Sequence, residues 1–220
     1  MIYSKTLELS DYDNLPSDFV EKTYTEFKDI SRFEHKHRRW EYGMALQALL
    51  DNGSKNILEV GGGGSLLVPL IYLSGSNKVT AVDPWDCNDL LRKQEAKLEL
   101  EEEIEFYHRD FLDFESDDLF DAVVCTSVIE HVPYHEEFFK KLLSFVDSDG
   151  ILVLTTDFYP TSERFSDAHL RTYSEENLMA YVDMAEGFTV LGDGYDYTYT
   201  DNHVYQYTFA SLVLKRNSHV

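Results

Sequence analysis

From residue 56 onward, short apolar runs alternate with amphipathic stretches. NILEV at 56–60, KVTAV at 78–82, IEFY at 104–107, FDAVVCT at 120–126 and GILVLTT at 150–156 are rich in Val and Ile and bounded by polar or glycine-containing segments, the pattern of buried strands. Between them, 65–74, 88–101 and 134–146 carry helical spacing, while the third and fourth runs are joined by the tighter acidic link HRDFLDFESDD. Strands alternating with helices predict parallel pairing through right-handed crossovers, hence an open α/β sheet with helices on both faces. After residue 156 the pattern changes. A loop leads to a helix over 174–184, started by Ser174 with Glu175 and Glu176 where carboxylates suit the helix dipole. GFTVLGD and YQYTFASLVLKR then predict a closing antiparallel pair, for about seven strands in all.

The N-terminal part reads differently. A short amphipathic helix follows Ser17, and a stronger one over 34–50 places Trp40, Met44, Leu46, Leu49 and Leu50 at helical spacing before Asn52 and Gly53 end it. Residues 1–52 are therefore expected to be a helical cap belonging to the same domain as the sheet of 53–220. Composition narrows the functions available. In 220 residues, 41 Asp and Glu against 19 Lys and Arg give a net charge of −22, a surface that repels phosphate backbones and anionic lipids. Nucleic acid and membrane are excluded as partners on that ground. The two cysteines, Cys87 and Cys125, suggest neither a disulfide framework nor a metal cluster. With no basic-then-apolar leader and no apolar stretch near ~20 residues, a cytoplasmic protein with a small-molecule partner is expected.

The segment ILEVGGGGS at 57–65 runs a buried strand into four glycines and a helix. Glycine at such a junction permits positive φ and lets a ligand approach the backbone, as a nucleotide cofactor requires. A dinucleotide fingerprint G-x-G-x-x-G fails, because its third glycine falls on Leu66 or Leu67. The pattern acidic-x-G-x-G-x-G fits Glu59, Gly61 and Gly63, with Ser65 in the last glycine's place. Asp83 ends the next strand, where a carboxylate can accept from ribose hydroxyls. Pro84 holds it extended, and Trp85 adds a broad apolar face.

In these features the chain resembles the class I S-adenosylmethionine-dependent methyltransferases, and the resemblance runs in order from about residue 55 to 156. It implies a Rossmann-like fold, mostly parallel with an antiparallel last strand, and S-adenosyl-L-methionine as cofactor with S-adenosyl-L-homocysteine as product. By the same resemblance Glu59, Gly61, Gly63, Asp83, Pro84, Trp85 and Thr126 contact the cofactor, Asp110 accepts from the adenine amino group, and Phe111 offers its backbone N–H and ring. The stretch DAHLRTYSEENL at 167–178 is similar to the H-x-R-x-Y-[ST]-x-E-x-L of small-molecule members. Two other readings share the fold: a non-catalytic cofactor-binding or assembly protein, and a nicotinamide-dependent oxidoreductase.

Methyl transfer from a sulfonium needs alignment and a dry pocket, and a base where the acceptor must lose a proton. His131 and His169 are the catalytic candidates, because histidine titrates near neutrality, with Asp157 and Tyr173 behind them. Metal-assisted O-methyltransferases carry E-x-x-E-H at the loop after the fourth strand. Here Ser127 stands in the first position before Glu130 and His131, so no metal is expected. The basic run 32–39 puts Arg38 or Arg39 forward to grip a carboxylate. The cap and the long connection 157–173 are expected to close over the site.

Overall fold

The computed structural model describes residues 1–32, 38–76, 78–101, 104–161, 171–199 and 207–218. Five runs form the parallel sheet: β2 (Asn56–Val60), β3 (Lys78–Asp83), β4 (Glu105–His108), β5 (Phe120–Thr126) and β6 (Val146–Phe158). Their spatial order is β4-β3-β2-β5-β6, each neighbour parallel. The order reverses direction between β2 and β5, and at such a switch point a crevice opens beyond the strands' carboxyl ends. β9 (Thr208–Arg216) closes the sheet antiparallel to β6 over eight residue pairs, from Ile151 with Lys215 to Phe158 with Thr208. β7 (Phe188–Val190) pairs antiparallel with the far end of β9, as the sequence predicts.

The near end of β9 carries an element that the hydrophobic pattern did not reveal. β1 (Ser4–Leu7) pairs antiparallel with it through Thr6 and Leu7, and the two-residue β8 (Tyr195–Asp196) lies parallel to β1. Residues 1–52 thus bring a strand to the sheet as well as helices. Leu7 is wholly buried, and Ser4 Oγ accepts from the Val213 amide at 2.9 Å. Four residues are too few for a period-two signal, so pairing with β9 decides this strand.

Two helical layers cover the sheet. α1 (Ser17–Phe27), α2 (Arg38–Asn52) and α3 (Leu67–Leu73) bury Val20, Phe27, Trp40, Leu46 and Leu70 against Ile57, Val79, Val124 and Val153. α4 (Asn88–Leu98) joins the same face through Leu91 against Ala81 and Val68. Opposite, α5 (His135–Ser144) and α6 (Glu175–Met184) pack Phe138, Phe139, Leu142, Leu178 and Tyr181 on Leu58, Val123, Leu152 and Leu212. α6 begins at Ser174, whose backbone N–H donates to Asn177 Oδ1 at 3.0 Å while its hydroxyl accepts from the Asn177 amide. No helix of the described residues is long and apolar enough to cross a membrane.

Candidate active site

β2 leads into Gly61, whose φ of +81° and close approach to Val128, 2.4 Å from an added Cβ, leave no room for another residue. At Gly62 an added Cβ would fall 1.9 Å from Glu59 Oε1. Gly62 therefore lets the loop close over Glu59, a carboxylate that is fully buried with both oxygens lacking a hydrogen-bond partner. Burial, and then the charge of Asp83, push its pKa well above the ordinary value against the opposing pull of Arg32 and of the nearby Gly62 amide. Such an orphaned acid is costly, and a cation or donor bound beside it would relieve that cost.

Asp83, at the end of β3, is 1% exposed. It accepts from the Gly63 amide at 3.2 Å and the Trp85 amide at 2.7 Å, and Arg32 Nη1 lies 3.5 Å from it. The Arg32 guanidinium also sits 4.0 Å over the Trp85 ring and 3.0 Å from Cys87 Sγ. Its own amide donates to Gly64 O at 2.7 Å, which pins the chain before α2 onto the glycine loop. Nothing in the basic run singled out Arg32 for this place. Trp85 remains 55% exposed, a large apolar face open to a ligand.

These groups line one pocket of about 590 Å³: Arg32, Gly61, Gly62, Gly63, Ser65, Asp83, Pro84 and Trp85, together with Arg38, Tyr42, Thr126, Ser127, Val128 and His131. Glu59 lies beneath its glycine floor. The structure thus gathers most of the residues expected of a cofactor site. Asp110 and Phe111 are not among the lining residues. Asp110 caps the short turn after β4, accepting from the Leu112 amide at 2.9 Å. The Phe111 ring is 3% exposed and packs edge-on to Phe138, so the core takes the ring that was expected to face the cofactor. His169 lies outside the described residues, as does most of the 157–173 connection.

Neighbouring residues in the basic run part company. Arg39 turns away to pair with Glu21 at 2.5 Å and to cover the Tyr24 ring at 3.6 Å, and Trp40 is buried in the core. Arg38 enters the pocket wall, 3.4 Å from the Thr126 carbonyl. Beside it stand three buried carboxylates, Glu41, Glu130 and Asp157. Asp157 is pushed up to about 8 by burial and then by the charge of Glu41, with Arg38 opposing. Burial and then Asp157 hold Glu130 well above its ordinary range. Burial works against the Arg38 charge, but these carboxylates and Tyr42 carry its pKa above the usual value. Glu41 Oε1 accepts from Ser127 Oγ and from Thr155 Oγ1, each at 2.5 Å, while its Oε2 has no partner. Sequence reasoning missed Glu41, because nothing in the local pattern tells it from Asp51, the exposed acid of the same helix. Among the described residues, no group of three or more His, Cys, Asp and Glu is set to hold a metal ion.

A glycine loop over a buried acid, a carboxylate ending the next strand and a pocket at the sheet's switch point define a nucleotide-cofactor-binding α/β protein. A family described as methyltransferase domain matches residues 33–191, and the chain belongs to that family. Ubiquinone biosynthesis O-methyltransferases are among its relatives. The one from Rickettsia prowazekii is 28% identical over 152 residues, covering 68% of this chain and 58% of that protein. The one from Rickettsia akari is 34% identical over 100 residues, covering 46% and 39%. The chain spans about half the length of the curated relatives it matches. Among solved structures, the fold superimposes on the Burkholderia thailandensis 1,6-didemethyltoxoflavin-N1-methyltransferase, solved with 1,6-didemethyltoxoflavin and S-adenosylhomocysteine. The TM-score is 0.68 at 16% identity, covering 96% of this chain and 92% of that one.

Proposed function

We propose that the chain transfers a methyl group from S-adenosylmethionine to a hydroxyl of a small, ring-bearing acceptor in the cytoplasm. The observation that carries this reading is the orphaned carboxylate of Glu59 under a glycine loop that admits no Cβ. Asp83 would hold the ribose, Trp85 the adenine face, and Arg38 the methionine carboxylate. When bound, the cofactor supplies an electrophilic methyl on sulfur. The chain's own residues align the acceptor, exclude water and take up its proton. His131, at the exposed mouth of the pocket, would contact the acceptor's outer edge. The choice of oxygen leans on the activity for which the relatives are named and on the Thr126 and Ser127 hydroxyl residues in the pocket lining.

Calorimetry with S-adenosylhomocysteine and with NADH tests the cofactor. Micromolar binding of the first alone is expected, and preference for NADH would sink the reading. Labelled methyl transfer to a panel of catechols, phenols and amines then tests the acceptor. Transfer to the hydroxyl compounds should continue in EDTA, since Ser127 replaces the first carboxylate of the metal-assisted pattern.

A further inference from the structure

We propose that Ser127 and Glu41 form a proton relay for the acceptor, in which Ser127 Oγ takes the acceptor's hydroxyl proton as its own passes to Glu41. The inference rests on the O-methylation reading above. Ser127 lines the pocket, and its hydroxyl already donates to Glu41 Oε1. Its lone pairs are thereby left to accept from a ligand.

Backbone strain points to the same residue. Ser127 has φ +49°, a left-handed conformation that costs an ordinary residue roughly 1–2 kcal/mol and glycine nothing. Its amide holds that geometry by donating to Thr155 O at 3.0 Å and Thr155 Oγ1 at 3.2 Å. A position that suits glycine yet bears a hydroxyl aimed at a buried acid is strain of the kind that persists at working sites. Glu41 is fully buried on α2; its Oε1, which accepts from Ser127 Oγ, is the oxygen that receives the proton, and its Oε2 is left without a partner.

The step balances as follows. The acceptor's O–H bond breaks while its oxygen bonds to the methyl carbon, and the methyl–sulfur bond breaks with its electron pair remaining on sulfur. The proton ends on the Glu41 carboxyl. The charged and titratable groups facing Glu41 are Arg38 on its own helix, beside which Tyr42 stands, Glu130 after β5, and Asp157 on β6, to which Tyr207 bonds. Arg38 offsets the charge of this cluster. Ser127 is then a catalytic residue, and Glu41 a positioning residue that acts through it.

The test uses 4-nitrocatechol, whose visible absorbance reports ionisation, added to the protein loaded with S-adenosylhomocysteine. Proton release is counted by calorimetry in two buffers of different ionisation heat. With the relay in place, the bound catechol shows its phenolate band and releases no net proton, because the proton moves inside the complex. Ser127→Gly, which suits the backbone, and Glu41→Gln should each release about one proton per phenolate formed. With a catechol acceptor both should lower kcat about 100-fold while KM and S-adenosylhomocysteine affinity hold, and Glu41→Asp should recover part of the rate. Proton release by the wild-type protein, or silent ionisation that persists in both variants, overturns the relay. Failure of 4-nitrocatechol to bind at all overturns the phenolic reading and the relay with it, a result distinct from binding without internal transfer.

Discussion

Two groups of residues gathered at the pocket are built in opposite ways. Around the glycine loop, Glu59, Gly61, Gly62, Gly63, Asp83 and Trp85 come from two consecutive strand–loop segments, and much of the work is done by backbone. Amides of Gly63 and Trp85 hold Asp83, and the absence of side chains shapes the floor. Around Ser127, by contrast, Glu41, Glu130 and Asp157 arrive from a helix before the sheet, the loop after β5 and the tip of β6, with Arg38 of that helix beside them. Side chains meet there across 86 and 114 positions of sequence, as the Glu41 bonds to Ser127 and Thr155 illustrate. A backbone-built site serves one ligand common to a family. A side-chain-built site can change its acceptor without disturbing the fold.

The comparison breaks most visibly at the glycine loop. Asp83→Ala should weaken S-adenosylhomocysteine binding by roughly 2–3 kcal/mol, the loss expected when one partner of charge-assisted hydrogen bonds is removed. Gly61→Ala should match it through left-handed strain and the collision with Val128. Calorimetry on variants of unchanged circular dichroism measures both, and unaltered affinity in either would dissolve the backbone-built picture.

A smaller effect separates two adjacent arginines. Arg38→Met should cost about tenfold in S-adenosylhomocysteine affinity, since the pocket wall loses its cation. Arg39→Ala should cost less than about twofold, because its partner Glu21 is 42% exposed and such pairs contribute little. Equal losses would mean that α2 acts through its stability and not through the one residue that faces the pocket.

A separate effect concerns stability and not affinity. Asp157 is held up to about 8 against ~3.9 in an unfolded chain. Between those values the folded protein binds more protons than the unfolded one, so this group's contribution to stability falls as pH rises from about 4 to 8 and then levels off. Asp157→Asn should flatten that decline, raising the melting temperature at pH 8 more than at pH 5. A wild-type decline that survives the substitution unchanged would assign the titration to another member of the cluster.

The parallel strands, their crossover helices and the antiparallel close were legible in the sequence, because each buries a face whose apolar period is set locally. The same holds for Ser174 as the start of α6 and for the acid-and-glycine pattern of Glu59, Gly61 and Gly63, where backbone geometry limits which residue fits. β1 was not legible, since four residues pair with β9 only once the sheet exists to receive them. Nor was the inward turn of Phe111, whose ring had a choice between ligand and core until Phe138 and Phe145 filled the space around it.

The sequence by itself determined the α/β alternation, the glycine loop with its acid and the carboxylate that ends β3, because those depend on residues close together in the chain. Only the tertiary structure decided that Arg38 faces the pocket while Arg39 faces Glu21, and that Arg32 lies across Asp83 and Trp85. It alone placed Glu41 against Ser127. Such contacts join side chains far apart in sequence, and their identity depends on helix rotation and packing depth, which no local pattern of polar and apolar residues specifies.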